Sequence, residues 1–263
     1  MSSLVPYVAQ LYIYPIKSLD RVACDRVTIL KSGALQGDRS WAIFDADGNF
    51  VNGKRNRKIH TLRSKFEPET NQLSLWTLGT NQAATFDLIA EQKLICDWLK
   101  DYFGFPVEIR QNLEQGYPDD TVSPGATIVS TATLEEIASW YPELDTEDIR
   151  RRFRTNIEIA GVPAFWEDRL FTTADKTVKF RLGEVEFLGV NPCQRCIVIT
   201  RDPQTGEAYP KFQKTFIEQR QKTLPQWAER SRFNHFFRLA INTRLSETEA
   251  GKVIQVGDQV TIG

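Results

Sequence analysis

A chain of 263 residues, 41% hydrophobic and 25% charged, suits one large domain or two small ones and has the makeup of a globular protein with a real core. Its 33 Lys and Arg against 34 Asp and Glu leave a net charge of -1, which excludes a general nucleic-acid coat, since that needs a basic excess. No apolar run approaches the roughly 20 residues of a membrane-spanning helix, and the first residues lack the basic start and apolar core of a signal peptide. A cytoplasmic protein with no nucleic acid or membrane among its partners is expected.

In chain order, alternation around Leu11 and Ile13 predicts a strand over residues 8–14, cut by Pro15. Further strands are expected at 26–30 and 41–44, with Asp47-Gly48 as a tight turn before Phe50-Val51, and at 73–76 and 84–88. The period then changes. Leu94, Ile95, Trp98, Leu99 and Tyr102 fall at helical spacing over 91–103, and Gly104 ends the helix. The polar, turn-rich stretch 111–124 is the best place for a domain boundary or a lid. Helices are predicted over 131–140, capped by Thr131 or Thr133, and over 146–152 behind Asp145. The β pattern returns at 156–159, 179–181, 185–188 and 197–200, and again over 253–262 with Val256-Gly257-Asp258 as an internal turn. Residues 211–237 read as a mostly polar, aromatic-punctuated helical region. Many short strands with few helices predict an α+β, β-barrel-rich protein.

Four cysteines occur, Cys24, Cys96, Cys193 and Cys196, and such sparse usage points to a reducing compartment, not a disulfide scaffold. Cys193 and Cys196 form a Cys-x-x-Cys pair around Arg195. Structural zinc needs more: there is no second pair, and His60 and His235 lack ligand spacing and any sign of a catalytic role. A thioredoxin-like pair should open a helix, whereas Ile197-Val198-Ile199-Thr200 reads as a strand. Taken alone, two ordinary buried cysteines would be the default. Their company argues for more: Pro192 stiffens the backbone, Asp202-Pro203-x-Thr205-Gly206 forms the exit turn, and Arg195 favours an ionised sulfur while offering a fork for phosphate.

These residues carry a resemblance. The chain resembles the MOSC family, the domain shared by molybdenum-cofactor sulfurases and amidoxime-reducing molybdenum proteins. Tyr14-Pro15-Ile16-Lys17-Ser18 is similar to the opening signature of the N-terminal MOSC-associated β-barrel, and Gly37-Asp38-Arg39-Ser40-Trp41-Ala42 with Asp45-x-x-Gly48 to its Gly-Asp-Arg block. Arg152-Phe153-Arg154-Thr155-Asn156-Ile157 resembles the family's Phe-Arg-x-Asn strand, and residues 193–207 with Val256-Gly257-Asp258 resemble the MOSC core. The resemblance implies an N-terminal β-barrel-like domain over 1–115 and a MOSC domain over 116–263. It implies that Cys196 ligates molybdenum beside a pterin dithiolene. Lys17, Ser18, Arg39, Ser130, Thr131, Arg154, Asn156 and Arg195 are the implied cofactor contacts. The chemistry agrees: a molybdopterin brings a phosphate and a hydrogen-bonding ring system to one soft thiolate. If a strand already begins at Arg152, alternation puts Arg152 and Arg154 on one face.

The chain departs from the family pattern in the long basic loop 51–55, within which the basic run 54–58 begins, and in 211–237, and no ferredoxin-type cysteine cluster is expected to follow. The resemblance therefore implies an oxidoreductase that reduces N-hydroxylated or N-oxide substrates, with electrons from a separate ferredoxin-like or cytochrome-b5-like protein. The alternative is a persulfide or cofactor carrier without redox turnover. Pyridoxal phosphate is expected only in fused sulfurase relatives, not here.

Overall fold

The computed structural model describes residues 5–80 and 82–263. The expectation about the first residues falls partly on residues 1–4, outside that range. The described strands are β1 (Tyr7–Ile13), β2 (Val22–Cys24), β3 (Arg26–Thr28), β4 (Trp41–Asp45), β5 (Leu62–Glu67), β6 (Gln72–Thr77), β7 (Ala84–Asp87), β8 (Val107–Gln111), β9 (Ile128–Ser130) and β10 (Ile157–Ala160). After these come β11 (Val178–Leu182), β12 (Val185–Gln194), β13 (Arg238–Arg244), β14 (Val253–Gln255) and β15 (Val260–Ile262). The helices are α1 (Gln92–Phe103), α2 (Thr131–Ala138), α3 (Thr146–Phe153) and α4 (Phe212–Lys222). The α+β, strand-rich architecture expected from the sequence is present. No described helix is long and apolar enough to cross a membrane.

The largest sheet runs in the order β15-β11-β12-β13-β9-β10-β1-β2. It curls until β1 meets β15: Tyr7 bridges Gln259, Val8 N–H donates to Asp258 O at 2.8 Å, and Val260 N–H donates to Pro6 O at 2.8 Å. Inward side chains fill the barrel, among them Val8, Leu11 and Ile13 from β1 and Phe180, Phe187 and Ile241 from the far wall. On β12, a Cβ at Gly189 would sit 1.7 Å from Leu170 O, at the end of the 3-10 turn Trp166–Leu170, so only glycine lets the strand pass. A second core is built by β4, β8, the meander β5-β6-β7 and α1, around Trp41, Leu62, Leu75, Ile95 and Leu99. A third joins α2, α3 and α4 through Leu134, Ile149, Phe153, Phe212 and Phe216.

The two halves of the chain interleave. β1 and β2, from the first thirty residues, complete the sheet formed by the last hundred and forty.

Two expectations are corrected. Residues 197–200 form a 3-10 turn, Ile197–Thr200, and not a strand. Its β-branched run closes local bonds instead of a ladder: Thr200 Oγ1 donates to Ile197 O at 2.7 Å and Arg201 N–H to Val198 O at 3.0 Å. Helix α4 covers only the start of 211–237, because Leu224-Pro225 breaks the helical run. The turn at Val256-Gly257-Asp258 is present but joins two sheets: β14 pairs with β3, β15 with β11.

Candidate functional site

Where the two barrels meet, a cavity of about 970 Å³ opens. Its walls come from the Tyr14–Arg21 region, the Asp38-Arg39 turn, the basic loop after β4, the connector before β9, the end of α3, and the segment from Cys193 to Gln204. Eleven Lys and Arg line it against five Asp and Glu, so a chain that is neutral overall concentrates positive charge here.

Cys196 lies on this wall, half-buried, in extended conformation (φ -98, ψ 171) just ahead of the 3-10 turn, and its thiol caps nothing. β12 delivers it: register shifts at Gly189/Asn191 and Pro192/Gln194 mark bulges in its ladder with β13, which still pairs Gln194 with Arg238 just before the cysteine. Arg195 ties the loop to α3, donating from Nη2 to Phe153 O and from Nη1 to Cys193 Sγ at 3.3 Å. Its Nε is buried with no partner among the described residues.

Lys17, Ser18, Arg39, Arg154, Asn156, Arg195 and Cys196 are all brought to the cavity. Lys17 is 7% exposed and donates to Tyr117 O at 2.9 Å and to Asp119 Oδ1 at 2.6 Å. Burial pushes the Lys17 ammonium down, with Asp119 opposing. Asp119 itself, though the pocket's burial resists it, is held to about 2 by Lys17, Arg39 and Lys54. Arg39 pairs with Asp38, whose other oxygen receives Tyr14 N–H at 2.8 Å. Arg154 donates to Leu19 O at 2.7 Å, and the Arg39 and Arg154 guanidiniums sit 5.1 and 4.1 Å from the Tyr14 ring.

Ser18, Arg39 and Arg154 share an unusual backbone, with φ of 75°, 50° and 53°. Left-handed conformation costs a side-chain-bearing residue about 1 kcal/mol or more, and its concentration on one cavity is a mark of function. The same reversal changes the expected pairing of Arg152 and Arg154. Arg152 belongs to α3 and points its guanidinium at the carbonyls of Ile199 and Arg201, whereas Arg154 is the left-handed cap that ends the helix. Both line the cavity without sharing a strand face.

Asn156 is spent on structure: Oδ1 accepts from Thr127 N–H and Oγ1 at 3.1 Å each, and Nδ2 donates to Tyr12 O at 3.1 Å. Ser130 and Thr131 are not among the lining residues. Ser130 is fully buried and caps α2 through Thr133 N–H at 3.1 Å, in place of the Thr131 or Thr133 cap expected from sequence. Of the basic run 54–58, Lys54 lines the cavity, while Arg57 pairs with Glu207 at 3.0 Å and Lys58 holds the Tyr102 and Phe103 carbonyls.

The cavity also holds residues that sequence reasoning did not assign to a site: Tyr14, His60, Arg63, Asp119, Arg201 and Arg238. Tyr14 and Arg201 lay inside quoted motifs without being assigned a role; the others come from segments far apart in the chain whose meeting no local pattern encodes. Arg63 pairs with Asp20 at 3.0 Å, and Arg238 donates to Pro192 O at 3.0 Å and Asn234 Oδ1 at 2.9 Å.

Comparison with known proteins follows the same layout. The MOSC N-terminal beta barrel domain matches residues 5–102 and the MOSC domain matches residues 124–261. The chain is 27% identical over 239 residues to the molybdenum cofactor sulfurase of Drosophila grimshawi, covering 79% of this chain and 30% of that protein. It is 28% identical over 241 residues to mitochondrial amidoxime reducing component 2 of Bos taurus, covering 76% and 67%, and 25% identical over 237 residues to mitochondrial amidoxime-reducing component 1 of Homo sapiens, again covering 76% and 67%. The chain thus spans less than a third of that sulfurase and about two thirds of the reducing components. With both halves matched in order, the chain belongs to the MOSC family, an N-terminal MOSC β-barrel domain followed by a MOSC domain.

Proposed function

We propose that this protein is a molybdenum-cofactor oxidoreductase that reduces N-hydroxylated or N-oxide compounds, with electrons from a separate ferredoxin-like or cytochrome-b5-like donor. The observation that carries the reading is the half-buried Cys196 thiol in a cationic cavity whose buried donors, Arg195 Nε and Arg238 Nε, lack partners among the described residues. Buried guanidinium donors without acceptors are costly, and an anionic guest satisfies them.

The donor set fits the cofactor in a second way. Among the described residues, no three His, Cys, Asp or Glu side chains are grouped to hold a metal ion. A metal beside Cys196 must therefore bring most of its own ligands, as a dithiolene-bound molybdenum does. Lys17, Ser18, Arg39, Arg154 and Arg195 would hold the phosphate and ring of the guest, and the Cys196 thiolate its metal. Bound there, the cofactor supplies two-electron oxygen-atom chemistry. The protein's part is to fix the thiolate, neutralise the phosphate with charge that is already oriented, and leave a face open to substrate.

The test is molybdenum per chain, by elemental analysis of protein made in a molybdenum-replete host. Near-stoichiometric metal is expected in the wild type and in Cys193→Ala, and none in Cys196→Ala. Full metal and activity in Cys196→Ala would sink the proposal. The similarity to sulfurases favours a second reading, delivery of sulfur or cofactor to another enzyme. A carrier should give up its molybdenum to an acceptor apoprotein, whereas an oxidoreductase keeps it through turnover.

A further inference from the structure

The cationic surplus of the cavity exceeds what the implied cofactor contacts use. Arg63 is paired with Asp20 and Arg152 is occupied by main-chain carbonyls. Arg201 is different. It follows the 3-10 turn that Cys196 opens, and its backbone is pinned by Val198 O and by a bridge to Ala208. Yet Nη1 is buried with no partner among the described residues. The acids nearest in sequence are engaged elsewhere: Asp202 accepts from Gln204 N–H at 2.9 Å and Thr205 N–H at 2.8 Å, and Glu207 pairs with Arg57.

His60 reaches the same wall from the other barrel. It ends a 3-10 turn, Arg57–His60, capped by Asn56, and is 7% exposed with Nε2 unpartnered among the described residues. Two glycines make room for its ring. A Cβ on Gly53 would lie 2.9 Å from His60 Nε2, and one on Gly206 would lie 3.2 Å from its Cδ2. Val198, of the Cys196 segment, packs at the same place. Burial, then the charges of Arg201, Arg154 and Arg63, hold the imidazole below its ordinary value, so near neutral pH it is a hydrogen-bonding group that adds no positive charge.

We propose that Arg201 and His60 form an anion subsite beside Cys196 that selects N-oxygenated substrates carrying a carboxylate. A guanidinium fork matches a planar carboxylate in two parallel hydrogen bonds, and the uncharged imidazole packed beside it against Gly53 leaves that single charge to set the preference. One fixed positive charge suits a monoanion, whereas a phosphate dianion is better met by the Lys17, Arg39 and Arg154 wall. The inference rests on the proposed reaction for the substrate's reactive end, and on Arg201 and His60 for the rest.

The experiment is calorimetric titration of the purified protein with two probes, an arylamidoxime and the same compound bearing a ring carboxylate. Molybdenum content is measured on each sample. The carboxylate is expected to tighten binding by about tenfold in the wild type, the range of one charge-assisted hydrogen-bonding pair. Arg201→Gln should erase that preference while keeping molybdenum, and Arg201→Lys, which keeps charge and loses the fork, should retain part of it. Equal affinity for both probes in a molybdenum-loaded wild type would overturn the subsite. Loss of molybdenum in Arg201→Gln would also overturn it, by showing that this side chain holds the cofactor. An Arg201-dependent preference in protein that never loads molybdenum would uphold the subsite and defeat the reductase reading instead.

Discussion

Glu167 offers a measurement whose size follows from its surroundings. It is 1% exposed, Oε2 lies 3.0 Å from the Thr133 hydroxyl that also bonds the Ser130 cap, and Oε1 has no partner among the described residues. Burial, and then the negative charge of Asp168, push its carboxyl from 4.5 up to about 7; Arg220 counters little because it is engaged with Asp168. A carboxyl raised in the folded state holds its proton after the unfolded chain has lost it. Between the two values the folded state carries more protons, so stability is greatest in acid and falls as pH rises, levelling off above the folded value. The full loss is about 3 kcal/mol, of which about 2.5 kcal/mol falls between pH 5 and pH 8. Glu167→Gln keeps the shape and the Thr133 hydrogen bond but does not titrate. Urea denaturation of both proteins at pH 5, 6, 7 and 8 isolates the effect as a difference. Near-parity is expected at pH 5, with the variant the more stable at pH 8. A stability difference that stays flat across the range would refute the reasoning, because Glu167 would then be ionised in the fold at all these pH values.

Two further substitutions separate structure from binding. Arg154→Gly should leave stability within about 1 kcal/mol of wild type, since glycine removes the left-handed penalty while the Leu19 hydrogen bond is lost, but molybdenum loading should fall sharply. A chain that melts early and still loads metal would reverse the assignment. Asn156→Ala should destabilise by about 2–4 kcal/mol in urea, because it strands Tyr12 O and Thr127 N–H at the junction of β1, β9 and β10. A silent substitution there would mean that water replaces all three bonds.

Local chemistry made much of this fold legible. Asp145 and Asp148 form the reciprocal cap that begins α3, Gly104 ends α1 in the left-handed conformation, and the alternation of 73–76 sits inside β6. What the sequence hides depends on partners far away. A β-branched run becomes a strand only where tertiary partners receive it, and Ile197–Thr200 closes a 3-10 turn instead. The barrel's closure by β1 was equally invisible, since nothing near Tyr7 names Gln259. In the cavity, quoted motifs located Lys17, Arg39, Arg154, Arg195 and Cys196. His60, which shows no ligand spacing in the sequence, and Arg201, which the 193–207 block contains without singling out, reach one wall only through the meeting of two segments about 140 residues apart, a separation that no local pattern encodes.

The meeting of β1 with β15 has a consequence for the chain's birth. A strand made among the first residues finds its last neighbour only when Val260–Ile262 has left the ribosome, so the large barrel cannot close in vectorial order. Until then Val8, Leu11 and Ile13 form an apolar edge awaiting a distant mate. Pairing across that sequence distance is slow, because the entropy of closing so long a loop is lost before any contact compensates it. Slower translation would therefore lengthen the exposure of that edge without speeding the barrel's closure.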